Sequence, residues 1–255
     1  MSFFSSKGIN LYFIDEKQNI FRPLPILLIH GFASNLEMNW AATGWIKDLS
    51  AAGYRVLAYD NRGHGKSEKL YEPECYSNEL MAEDACNLLD HLSIKKAHVI
   101  GYSMGARVAA TLALRHEERV GRLVIGGLGL NMIRSMAGTG PISQALMASH
   151  IDEIRNPTAR TFRAFAEQTK SDLKALAVCV RKIRDPVSRE DLAKLKLPVL
   201  VAVGTRDVIA GPGDALAEII PGAQSIPILE CDHMKAVGAA SFKQAVLPFL
   251  AQETN

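Results

Sequence analysis

The chain has 255 residues, 48% of them hydrophobic, and a formal net charge of +2. That length buries a sizeable core within one α/β domain, residues 1–255. The balanced charge, with no block of like charges and no basic stripe interleaved with aromatics, implies neither nucleic acid nor an anionic membrane as a partner. No window approaches a membrane-spanning apolar run, and Met1 to Lys7 lacks an export-signal pattern, so a cytoplasmic location is expected.

In chain order, Phe3-Phe4 and Ile9 to Ile14, with Gly8 near the turn, predict an antiparallel hairpin at one edge of a sheet. Apolar runs bounded by Gly, Pro and Asp then recur at Pro25 to Ile29, Tyr54 to Tyr59, Ala97 to Ile100, Arg122 to Ile125 and Pro198 to Val203. Strands this continuously apolar are buried on both faces, which is the pattern of a parallel sheet. Helices are expected between them, over Trp45 to Ala52 with a stop at Gly53, over Ser77 to Leu92 with Ser77 as cap, and over Ala106 to His116. Alternating strand and helix predicts a doubly wound, mostly parallel sheet with right-handed crossovers.

From about 128 to 190 the alternation breaks. Helical stretches at Ile142 to His150, Thr158 to Thr169 and Asp172 to Ile183, with no strand between them, predict an inserted helical cap. Gly127 to Glu190 holds ten Lys or Arg against six Asp or Glu, an excess assigned to solvated helix faces rather than to an anion site. Cys75, Cys86, Cys179 and Cys231 have no metal-ligand or disulfide-framework spacing, so reduced thiols are expected, with Cys231 a small buried residue near His233.

The chemistry gathers at strand ends. Gly101-Tyr102-Ser103-Met104-Gly105 fits G-x-S-x-G between a strand and a helix, where a sharp turn would expose the serine hydroxyl. A serine needs a base, and the base needs an acid to orient it. Asp207 follows the strand ending at Val203, and His233 follows the apolar run Ile226 to Leu229, just before the last helix. Asp207 is preferred to Asp214 because it directly follows its strand, and to Asp232 because adjacent side chains diverge. His91, His98, His116 and His150 sit in predicted helices or strands and are expected to be structural.

The order Ser103, Asp207, His233 resembles that of the α/β-hydrolase fold family, and so do His30-Gly31-Phe32 after the first central strand and Asp60 to Ser67 after the next. The likeness runs from about residue 8 to the C-terminus and is weakest in the cap. It implies a doubly wound α/β-hydrolase fold, a catalytic triad of Ser103, Asp207 and His233, and an oxyanion hole made by the backbone N–H groups of Phe32 and Met104. Asp60, Arg62 and His64 are expected to hold their turn by local hydrogen bonds, and Ser34 to hydrogen-bond within its loop. The implied activity is that of a serine esterase or lactonase acting on a small-molecule ester or lactone, with no cofactor and no metal. Oligomeric state stays open. Two alternatives remain: carbon–carbon bond hydrolysis of ring-cleavage products, and a slow-turnover ligand receptor that keeps the triad.

Overall fold

The computed structural model describes residues 2–18, 20–134, 139–183 and 185–252. Lys7 and Gly8 both have positive φ, 50° and 85°, and turn β1 (Ser2–Ser6) back onto β2 (Ile9–Glu16) as an antiparallel hairpin. Six strands follow: β3 (Ile26–Ile29), β4 (Val56–Tyr59), β5 (Ala97–Tyr102), β6 (Val120–Gly126), β7 (Val199–Gly204) and β8 (Gln224–Ile228). The sheet order is β1-β2-β4-β3-β5-β6-β7-β8, antiparallel through β2 and parallel from β4 onward. The fold class is the one expected from sequence.

Successive side chains of each central strand feed opposite cores, because a strand alternates its faces. Ile26, Leu28, Val56 and Ala58 pack with Trp45 and Leu49 of α1 (Trp45–Ala51) and Phe242 and Val246 of α10 (Ala240–Ala251). Leu27, Ile29, Leu57 and Val99 pack on the other face with α2 (Asn78–His91) and α3 (Met104–Arg115). Ser77 caps α2 as expected, its Oγ accepting from Leu80 N at 3.1 Å.

Between β6 and β7 lie α4 (Thr139–Met147), α5 (Pro157–Gln168), α6 (Leu173–Cys179) and α7 (Arg189–Leu192). The sixth helix ends four residues short of the expected Ile183, since Arg181 N and Lys182 N bond back to Val178 O and Cys179 O in the tighter i to i−3 pattern. The basic excess of this insertion is not all solvated. Arg163 is buried and donates to the carbonyls of Ala145, Leu146 and Ala148 at the end of α4. Beyond β7 come α8 (Gly213–Ala217), unanticipated from sequence, and α9 (His233–Ala236), a single turn that separates His233 from the last helix.

Topology places the site. The chain adds β4 on one side of β3 and then crosses to add β5 on the other, so the carboxyl ends of β3 and β5 meet with Ile29 beside Gly101. Open α/β sheets bind ligands at such a switch point. No helix among the described residues is long and apolar enough to cross a membrane.

Candidate active site

Ser103 stands between β5 and α3 at φ 55°, ψ −113°, a conformation that a non-glycine residue adopts only under constraint. Its N–H is held by Gly126 O at 2.8 Å. The turn closes tightly enough that a Cβ at Gly101 would lie 2.2 Å from Gly105 O, and one at Gly105 would lie 2.0 Å from Ile29 O. Glycine at both positions lets the α3 N-terminus press against the sheet, which turns the serine outward.

Asp207 and His233 reach Ser103 from beyond the ends of β7 and β8. His233 Nδ1 lies 2.7 Å from Asp207 Oδ2, and His233 Nε2 lies 2.9 Å from Ser103 Oγ. The carboxylate accepts, so Nδ1 carries the proton and Nε2 presents its lone pair to the serine hydroxyl. Asp207 Oδ1 also accepts from Ile209 N at 2.8 Å and Ala210 N at 2.9 Å, which fixes the carboxylate plane. Asp232 instead caps α9, accepting from Met234 N and Lys235 N, and Asp214 accepts from Ala215 N, so neither is the partner of His233.

The loop after β3 is clamped around one peptide. His30 Nδ1 donates to Gly31 O at 2.8 Å, its Nε2 accepts from Asn61 N at 2.9 Å, and Asn39 Oδ1 accepts from Gly31 N at 3.1 Å. In a trans peptide the C=O and N–H point oppositely, so anchoring the Gly31 carbonyl aims the Phe32 N–H away from His30. Neither Phe32 N nor Met104 N has an acceptor among the described residues. Burial holds His30 down at about 4 and its neighbour His64 at about 3, which keeps both imidazoles neutral.

Gly31, Phe32, Ser103 and His233 border a cavity of about 160 Å³. Phe162 and Phe165 of α5, Met38, Met234 and Val237 supply apolar walls, while Ser34, Asn39 and Thr43 supply uncharged polar ones. Phe32 both borders the cavity and packs edge-on against Phe162 and His64, each at 5.8 Å between ring centroids. Cys231 stays outside the lining and packs on the core of α1 and α10. His91, His98 and His116 are likewise remote: His91 stacks with Phe4 and Phe13, burial lowers His98 to about 4, and His116 meets Glu83 at 3.1 Å.

Two contacts escape sequence reading. Tyr102 OH donates to His233 O at 2.6 Å, and nothing in a G-x-S-x-G match marks its second residue. Arg62 does not bond only locally: it makes a two-pronged pair with Asp84 of α2, both contacts 2.7 Å, across 22 residues. Asp60 acts within its turn by accepting from Lys66 N, but it also accepts from Leu36 N across 24 residues, and burial raises its carboxyl above the usual range.

Comparison with known proteins agrees with this architecture. A family model described as the alpha/beta hydrolase fold matches residues 25–175. An enol-lactonase from Burkholderia xenovorans LB400 superposes with a TM-score of 0.84 at 26% identity, covering 98% of this chain and 100% of that one. A 2-hydroxy-6-oxononadienedioate/2-hydroxy-6-oxononatrienedioate hydrolase of Cupriavidus pinatubonensis is 28% identical over 257 residues, 88% of this chain and 86% of its own. A relative from Caulobacter segnis aligns over 87 residues at 38% identity, spanning 33% of each chain. With the tight turn at Ser103, the strand order and the matched region in accord, the chain belongs to the α/β-hydrolase fold family.

Proposed function

We propose that this chain is a serine hydrolase cleaving a carboxylic ester or lactone of a small molecule through an acyl-enzyme on Ser103. The reading is carried by the relay of Asp207, His233 and Ser103, with contacts of 2.7 and 2.9 Å. His233 Nε2 takes the Ser103 proton as Oγ bonds to the acyl carbon, and returns it to the leaving alkoxide as the ester bond breaks. Water then adds to the acyl carbon, giving its proton to His233, and Ser103 leaves with that proton as the acid departs. The N–H groups of Phe32 and Met104 receive the oxyanion in both halves, a donor pair whose members are worth about 3 to 4 kcal/mol each. The helices over about 128–190 act as the cap, within a single domain.

Rapid stoichiometric labelling of Ser103 by a fluorophosphonate, with many turnovers on a p-nitrophenyl ester abolished in Ser103→Ala, is the expected result. Unchanged turnover in Ser103→Ala sinks the reading. Labelling with negligible turnover on a broad panel favours the receptor alternative. Carbon–carbon bond hydrolysis remains the second reading because the Cupriavidus relative is named for a dienedioate substrate. A panel of esters, lactones and dienoic keto acids separates the two.

A further inference from the structure

The walls of the cavity beside Ser103 are aromatic and aliphatic, and their polar members, Ser34, Asn39 and Thr43, are uncharged. No Lys or Arg lines it among the described residues. Three cationic groups of the insertion are engaged elsewhere: Arg163 with the carbonyls ending α4, Arg160 with Asp152, and Lys174 over the Tyr71 ring. Lys69 donates to the carbonyls of Gly65 and Ser67. His233 is occupied at both nitrogens.

From this lining we infer that the site, read as an ester hydrolase, selects a short uncharged acyl group no larger than a phenyl ring and rejects acyl groups that carry a carboxylate. Size follows from volume. An apolar protein cavity of about 150 Å³ admits benzene, and this one measures about 160 Å³. Charge follows from solvation, because a carboxylate seated against Phe32, Phe162 and Phe165 would lose its water without gaining a cation. Thr43 Oγ1 already donates to Asn39 O at 2.7 Å. The Asn39 amide nitrogen is buried without an acceptor, and its oxygen is committed to Gly31 N, so that N–H suits a neutral ether or carbonyl oxygen.

The inference rests on the serine-hydrolase reading, and the experiment separates the two. The probes are p-nitrophenyl acetate, butyrate, benzoate and octanoate, with p-nitrophenyl hemisuccinate set against its neutral isostere, p-nitrophenyl 4-methylpentanoate. The expected kcat/KM for the neutral isostere exceeds that for hemisuccinate by about 100-fold, a gap of two decades in transition-state affinity. Octanoate is expected to fall about tenfold below butyrate. Hemisuccinate equal to or better than its isostere overturns the charge selection, and octanoate better than butyrate overturns the size limit. Met234→Lys and Val237→Lys, each placing a cation on the cavity wall, are expected to narrow the isostere gap; a folded variant with an unchanged gap counts against the inference. Absence of turnover on every ester, with Ser103 unlabelled, takes down the hydrolase reading as well.

Discussion

The hydroxyl of Tyr102 donates to the main-chain carbonyl of His233 across 2.6 Å, joining residues 131 positions apart in sequence. The residue preceding Ser103 thereby holds the backbone of His233, while their rings lie 5.7 Å apart. Tyr102→Phe keeps the ring and removes the donor, leaving a buried carbonyl unpaired. The expected outcome is a loss of about 1 to 3 kcal/mol in stability and a fall in kcat with KM little changed. A variant matching the parent in both Tm and kcat would show that the bond positions nothing.

Asp207 accepts three hydrogen bonds, from the His233 ring and from the amides of Ile209 and Ala210. Asp207→Asn preserves shape but lets the amide donate to Nδ1, which inverts the tautomer. The expected fall in kcat is about ten-thousandfold, as in analogous triads, with Ser103 still present and the protein folded. Loss of less than tenfold would assign the orienting role to another group.

Arg62 and Asp84 form an ion pair whose side chains are 2% and 1% exposed, and Arg62 also donates to Cys75 O. Removing one partner leaves a buried charge, so Asp84→Ala is expected to destabilise by about 3 to 5 kcal/mol in denaturant unfolding. The double variant Arg62→Leu with Asp84→Leu is expected to lose less than either single change. A double loss equal to the sum of the singles would mean that the pair acts through two independent sites.

Acid should weaken the fold in a defined window. Burial lowers His30 and His98 to about 4 and His64 to about 3, from an ordinary 6.5, so between those values the unfolded chain binds protons that the folded chain refuses. Their contribution is complete above pH 6.5 and is lost as pH falls toward 4 and then 3. Thermal melts from pH 7.5 to 4.5 should show Tm dropping mainly below 6.5, and His98→Phe, remote from Ser103, should flatten part of that slope. A Tm level across the window contradicts the burial of these rings as neutral bases.

Much of this architecture is legible in the sequence. Continuous apolar strands such as Ile26 to Ile29 have no polar face to offer water, so only a two-sided burial suits them, and Gly101 and Gly105 around Ser103 announce a turn no side chain could share. Position just after an apolar run, taken with chain order, also pointed to Asp207 and His233. What folding decided lies in contacts between distant segments. Arg62 pairs with Asp84 rather than with its own turn, Arg163 spends its donors inside the insertion instead of facing water, and Tyr102 holds His233. The cavity wall joins α5 to the β3 loop and to the turn after His233. Local pattern reports which face of an element seeks burial, because that depends on periodicity. Which partner meets it depends on the crossing and docking of elements far apart in the chain, and only the folded sheet brings those together.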